Sequence, residues 1–183
     1  MGRALLGSVS TGVVHHSRLP VLVVPGATGD EQTSGPVLLS YDGSEGARRA
    51  ISAAGLLFAD REVIVFHTWE SWMAETPALA GSSATVQGLA AELDQVADEQ
   101  SSALAAEGVQ VAESAGFVAE GLSERATGPA WKAVLDAADR RACAAIVVGS
   151  RGLTGISAAL GSISNGVVHH SRRPVLVVPA DDG

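Results

Sequence analysis

The stretch AALGSISNGVVHHSRRPVLVVP, residues 158–179, occurs twice in this chain. Residues 4–25 read ALLGSVSTGVVHHSRLPVLVVP, an offset of 158 − 4 = 154 positions. Eighteen of the twenty-two positions are identical, and only Leu5/Ala159, Val9/Ile163, Thr11/Asn165 and Leu19/Arg173 differ. Composition alone does not produce such a match, and a repeat governs how every shorter motif is read. In each copy a Gly-Ser pair opens a helical stretch, two histidines close it, and a Pro-bounded run of Val and Leu reads as a strand. This is the helix and strand that end an alternating α/β domain. The chain is therefore expected to hold the last helix and strand of one domain (residues 1–25), a linker (26–35) and one complete domain of the same kind (36–180). A start lying inside a longer gene would give the same pattern.

Just before the later copy, residues 145–148 (AIVV) form a continuous apolar strand. Residues 37–41 (VLLSY) read as another, with Asp42-Gly43-Ser44 as a turn and Ser44 as a helix N-cap. Ala47, Ala50, Ile51, Ala54, Leu57 and Phe58 then recur at helical spacing. Residues 63–68 are a second strand, and 69–83 a loop. From Ala84 a long helix is expected to carry Leu89, Leu93, Val96, Leu104 and Val111 as one apolar stripe. Residues 117–123 are a weaker strand. Gly128-Pro129 opens a further helix, with Pro129 in its first turn and Trp131, Val134, Leu135 and Ala138 on its inner face. Residues 26–35 (GATGDEQTSG) are polar and glycine-rich, as linkers are. Ten residues span at most about 33–36 Å. Strands separated by helices predict right-handed crossovers and a parallel sheet. Five strands fall in the complete domain, and the first copy adds a helix and a strand (Val21 to Val24).

Composition narrows the function. Aromatics are 4% of the 183 residues, so Val, Leu, Ile and Ala must build the core, as in parallel sheets. A net charge of −8 opposes a nucleic-acid surface, which needs clustered Lys and Arg. One cysteine excludes an internal disulfide and suits a reducing compartment. No apolar run approaches a membrane span, and no leader pattern is evident. A cytoplasmic protein is expected.

Gly149-Ser150-Arg151-Gly152 leaves the end of a buried strand, and Gly161-Ser162 begins a helix. Glycines let backbone amides approach an anion, and a helix start offers free N–H groups on the positive end of its dipole. The pattern is that of a phosphate cradle. The same glycines could serve only a tight turn.

Taken in order, VLLSYDGSEGA (37–47), VIVFHTWE (63–70), IVVGSRG (146–152) and GSISNGVVHHSRRPVLVV (161–178) resemble the universal stress protein family across nearly the whole complete domain. The resemblance implies an α/β fold of the adenine-nucleotide alpha-hydrolase-like type. Its sheet would be doubly wound, parallel and five-stranded, in order 3-2-1-4-5, with an extra N-terminal helix and strand here. It also implies ATP, with Mg²⁺, held at the carboxyl ends of the first and fourth strands, a topological switch point. By position, Asp42 would meet the ribose or adenine edge, Thr68 would offer backbone groups to adenine, and Val148 would flank the nucleoside. Gly149, Gly152, Gly161 and Ser162 would line the triphosphate, followed by Ile163 and Ser164, and Arg151 would add a charge-assisted contact. ATP-binding members usually show G-x2-G-x9-G-S/T. Here eight residues separate Gly152 from Gly161, one short.

The implied activity is that of a nucleotide-responsive binding module, with no catalytic residue and at most slow hydrolysis. It would work through partner docking or a homodimer, formed through the last strand (Val175 to Val178), the N-terminal strand (Val21 to Val24), or both. The N-terminal strand is expected to pair antiparallel with a fifth strand, its own or a partner's, since an open apolar edge is a hazard. The alternative is a nucleotide-independent dimerisation scaffold. An enzyme on this fold would need an acid or base that the sequence does not offer.

Other residues read more plainly. His15-His16 and His169-His170 are adjacent on helices, so each pair points about 100° apart and does not chelate one ion; no metal site is expected. Cys143 reads as an inert core thiol and Trp131 as packing. Trp69 and Trp72 could cover an adenine, though partial burial is the simpler expectation. Asp94, Asp98 and Glu99 read as a solvated helix face.

Overall fold

A computed structural model describes residues 7–26, 34–71, 83–150 and 160–180. In chain order its elements are α1 (Ser8–His16), β1 (Val21–Val23), β2 (Val37–Ser40), α2 (Glu45–Phe58), β3 (Glu62–Trp69), α3 (Ala84–Ser114), β4 (Val118–Arg125), α4 (Ala130–Arg140), β5 (Ala145–Gly149), α5 (Ser162–His170) and β6 (Val175–Val178). Among the described residues the strands form one sheet, in order β1-β6-β5-β2-β3-β4. The pairs β4–β3, β3–β2, β2–β5 and β5–β6 are parallel, and β1 runs antiparallel to β6. The sheet thus has six strands and is mixed: the five parallel strands expected of the complete domain gain β1, which differs in running antiparallel. The difference has a local cause. A parallel neighbour needs a crossover, whereas β1 reaches β6 ahead of the linker and can lie against it in either sense. In doing so it covers an edge that would otherwise be open.

Helices pack on both faces. On one, α2 and α3 cover Val37, Leu39, Val63, Val65, Val147, Leu176 and Val178. On the other, α4, α5 and Val14 of α1 cover Leu38, Ile64, Phe66, Ile146, Val148, Val175 and Val177. The central strands are apolar on both faces because both are buried. The α2 helix starts where expected. Ser44 Oγ accepts from Ala47 N–H at 3.1 Å, and Gly46, Ala47, Ala50, Ile51 and Ala54 form its buried face.

The long helix α3 departs from expectation. Its buried residues are Ala90, Ser101, Ala105, Gly108 and Ala112. Leu104 and Val111 are half-buried against the α2 side of the core, while Val86, Leu89, Leu93 and Val96 are exposed. Thirty-one residues make a helix about 46 Å long. The eight-residue strands beside it span only about 26 Å. The overhang therefore has no sheet to bury it.

Smaller differences follow the same logic. Phe117 is buried, but the strand starts at Val118. Trp69 ends β3 rather than opening a loop. The helix expected at Gly128-Pro129 starts at Ala130, with Pro129 as its N-cap. Most of the linker, residues 27–33, lies outside the described residues. No helix among the described residues is long and apolar enough to cross a membrane.

Candidate functional site

The carboxyl ends of β2 and β5 lie side by side. Leu39 pairs with Val147, so Asp42 and Ser150 each stand three residues beyond that pair (42 − 39 = 150 − 147). Three expected site elements meet at this edge: Asp42, the Gly149 end of β5 and the start of α5.

Asp42 occupies a tight turn. Its Oδ1 accepts from Ser44 N–H at 3.0 Å. Gly43 has φ 78°, in the left-handed region that glycine enters most easily. A Cβ there would also come within 2.9 Å of Leu104 Cδ1. Tyr41 is anchored from two sides. Its N–H donates to Phe66 O at 2.9 Å, its carbonyl accepts from His67 Nδ1 at 2.8 Å, and its hydroxyl donates to Glu107 Oε1 at 2.8 Å. Burial, and then the bond to Glu107, push the Tyr41 phenol up to about 12. Glu107 is held below the usual carboxylate range by the Tyr41 hydroxyl and then by Arg48.

Ser150 is the hub of the second strand end, a role that its place in the Gly149-Ser150-Arg151-Gly152 loop did not predict. Its N–H donates to Val178 O at 2.7 Å, and its carbonyl accepts from Gly161 N–H at 2.8 Å. Its Oγ accepts from Ala180 N–H at 2.9 Å. Ser164 Oγ donates to the Ser150 carbonyl at 3.1 Å and to Gly161 O at 3.0 Å. The end of β5 and the start of α5 are thus tied together. Arg151 and Gly152, expected in the cradle, lie outside the described residues.

Gly161 is the N-cap of α5 and gives no side-chain cap. The first bond of the helix is Asn165 N–H to Gly161 O at 2.9 Å. The amides that follow Gly161 have no partner within the helix, and Ser162 is exposed. The expected residues therefore divide. Ser162 stands at the open helix start, whereas the Gly161 amide and the Ser164 hydroxyl are engaged with Ser150. Ile163 packs on the α4/α5 side of the core, and Val148, 2% exposed, lies within it. Thr68 pairs with Glu124 across the β3–β4 ladder. Its Oγ1 is buried with no hydrogen-bond partner among the described residues, an atom that invites a donor or acceptor.

The α3 overhang is tied to the end of β3. Trp69 Nε1 donates to Asp98 Oδ1 at 3.2 Å, and Ser71 Oγ donates to Asp94 Oδ2. Asp98 and Glu99 are exposed, as expected of a solvated face, while Asp94 is half-buried; Asp94 and Asp98 also anchor the end of β3, and Glu99 accepts from Gln95 at 3.0 Å. Trp72 lies outside the described residues. Trp131 packs as expected, its ring stacked on His170 at 4.3 Å between centroids. His170 Nδ1 donates to Gly166 O at 2.9 Å. Cys143 is fully buried, and burial, opposed by Arg173 and Arg141, pushes its thiol up to about 11.

Known proteins match this frame. The sequence profile described as the universal stress protein family matches residues 34–179, and the chain belongs to that family. It is 30% identical over 185 aligned residues to a universal stress protein of Mycobacterium tuberculosis, covering 97% of this chain and 57% of that one. The chain thus spans a little over half the length of the curated relatives it matches. A solved universal stress protein from Archaeoglobus fulgidus superposes with a TM-score of 0.63 and 26% identity, over 97% of this chain and 57% of that one. Another from Archaeoglobus fulgidus, solved in complex with dAMP, gives a TM-score of 0.56 and 17% identity, over 80% and 98% of the two chains.

Proposed function

We propose that this chain is an ATP-binding module that changes its docking to a partner, or to a second copy, when the nucleotide is bound. The observation that carries this is the meeting of Asp42 with the open start of α5 at the carboxyl ends of adjacent strands. A nucleotide laid across that crevice would put its phosphates at the helix start, where free amides and the dipole favour negative charge. Its sugar hydroxyls would reach the Asp42 carboxylate, and its base would lie toward Thr68, whose orphan Oγ1 could bond it. Among the described residues no group of three or more His, Cys, Asp or Glu could hold a metal ion, so Mg²⁺ would arrive on the phosphates. The adenine nucleotide held by the Archaeoglobus relative makes the class of ligand reasonable.

In the same proposal, residues 4–25 are a second copy of the domain's closing helix and strand. The open edge of β1 would be the place for docking, since β1 already covers β6. A cytoplasmic location belongs to this proposal too.

One observation favours a nucleotide-independent scaffold instead. Ser150, Gly161 and Ser164 satisfy one another, so part of the cradle is closed by internal bonds. Calorimetry of ATP with Mg²⁺ decides between the two, on the wild-type chain and on Gly161→Val. Saturable binding that the variant loses is the expected result. A folded wild type that takes up no ATP would leave the scaffold.

A further inference from the structure

Tyr41 stands immediately before Asp42 and is the one tyrosine of the chain. Its side chain is 1% exposed, and α3 passes so close that a Cβ on Gly108 would meet its ring at 2.7 Å. Its hydroxyl ends on Glu107 Oε1, an oxygen that also accepts from Arg48 Nη2 at 2.5 Å. The same Arg48 nitrogen reaches the carbonyl of Gly43 at 3.4 Å, and the guanidinium carbon lies 6.0 Å from the centre of the Tyr41 ring. A single carboxylate oxygen therefore restrains the residues on both sides of Asp42: Tyr41 directly, and Gly43 through Arg48. The Asp42 carboxylate, closed onto Ser44 N–H, sits between these anchors.

We infer that Glu107 is a positioning residue, which through Tyr41 and Arg48 fixes the turn of residues 41–44 and so sets where the Asp42 carboxylate meets a nucleotide. The consequence for a ligand rests on the proposed nucleotide site, whereas the hold on the turn does not. The Arg48–Glu107 bond is charge-assisted, but its side chains are 40% and 42% exposed and screened by solvent, so the buried Tyr41 end carries the larger share of the hold. The arrangement also predicts its own pH limit. A phenol raised to about 12 keeps its proton, and its bond to Glu107, with full effect below pH 10.0, and loses them as pH rises toward 12.

The test compares full-length wild type, Glu107→Ala and Glu107→Gln. Glutamine keeps an acceptor for the phenol but loses the charge that holds Arg48. Ultraviolet titration of the single tyrosine checks that the network is broken, with the midpoint expected to fall below about 12 in the alanine variant while burial still holds it above 10.0. Hydrogen exchange of the Ser44 amide reads the turn, and calorimetry reads ATP. Alanine should speed Ser44 exchange and weaken ATP binding by about tenfold each, the scale set by losing a hydrogen bond to a charged group. Glutamine should restore part of both. Unchanged Ser44 exchange in a variant whose phenol has shifted overturns the inference. So does a loosened turn with ATP affinity unaltered. A wild type that binds no ATP, while Ser44 still answers to Glu107, sinks the nucleotide site and leaves the hold on Asp42 intact. Should the alanine variant fail to fold, glutamine carries the same readouts.

Discussion

Gly12 and Gly166 occupy the same position of the repeat in two surroundings. A Cβ on Gly166 would come within 2.2 Å of Trp131 Cγ, while one on Gly12 would meet nothing within 4 Å. Identical substitutions should therefore have opposite signs. Gly166→Ala forces the stacked Trp131 aside and is expected to cost about 1–3 kcal/mol. Gly12→Ala, within an open helix, should gain about 0.5–1 kcal/mol through backbone entropy. Urea unfolding of both variants reads the difference directly. At this scale the sequence reveals what is local. The Ser44 cap acts on a residue three positions away and was legible. The Tyr41–Glu107 bond joins residues 66 positions apart, and Ser150 gathers partners from β6 and α5. Neither could be seen before the fold had brought them together.

Element types were legible wherever burial imposed a pattern. The run AIVV (145–148) reads as a strand because both of its faces are covered, and α5 begins and ends where the Gly-Ser and His-His pairs put it. The face of α3 was not legible. Its leucines mark an apolar stripe, but Ala105, Gly108 and Ala112 are what lie against the sheet, because only small residues allow the helix to approach. An apolar period tells which side of a helix avoids water, not where the sheet beneath it stops. The β1 strand was legible as a strand, and its antiparallel partner was a matter of supposition until the register with β6 appeared. That register makes a prediction for β1 itself. Its backbone amides bonded to β6 should exchange with solvent at least about tenfold more slowly than that of Gly26, since a laddered amide must open before it exchanges. Equal rates would mean that β1 is not docked.

For the whole molecule, the repeat explains why a single sequence motif has two fates. Val167, Leu176 and Val178 are 0%, 1% and 4% exposed, whereas their counterparts Val13, Leu22 and Val24 are 49%, 44% and 59% exposed. The later copy is enclosed by β5, α2 and α4, whereas the earlier one meets the rest of the described residues along β6 and through Val14, which packs into the α4/α5 face of the core. The earlier copy therefore acts mainly as a cover. Removing residues 1–26 should uncover β6 and make the remaining chain self-associate more strongly than the full one, as measured by light scattering at equal concentration. Equal masses would show that the cover is dispensable. The pairing has a further consequence. Leu22 faces Leu176, and 22 + 154 = 176, so the central residue of the edge is paired with its own counterpart. A local two-fold axis passes through that pair, and the two strands exchange places about it. The contact is self-complementary in the way that the interface of a symmetric dimer is, although both halves come from one polypeptide. Any change made in both copies at once is felt twice across the same axis, which makes this short ladder a place where the symmetry of an assembly can be studied within a single chain.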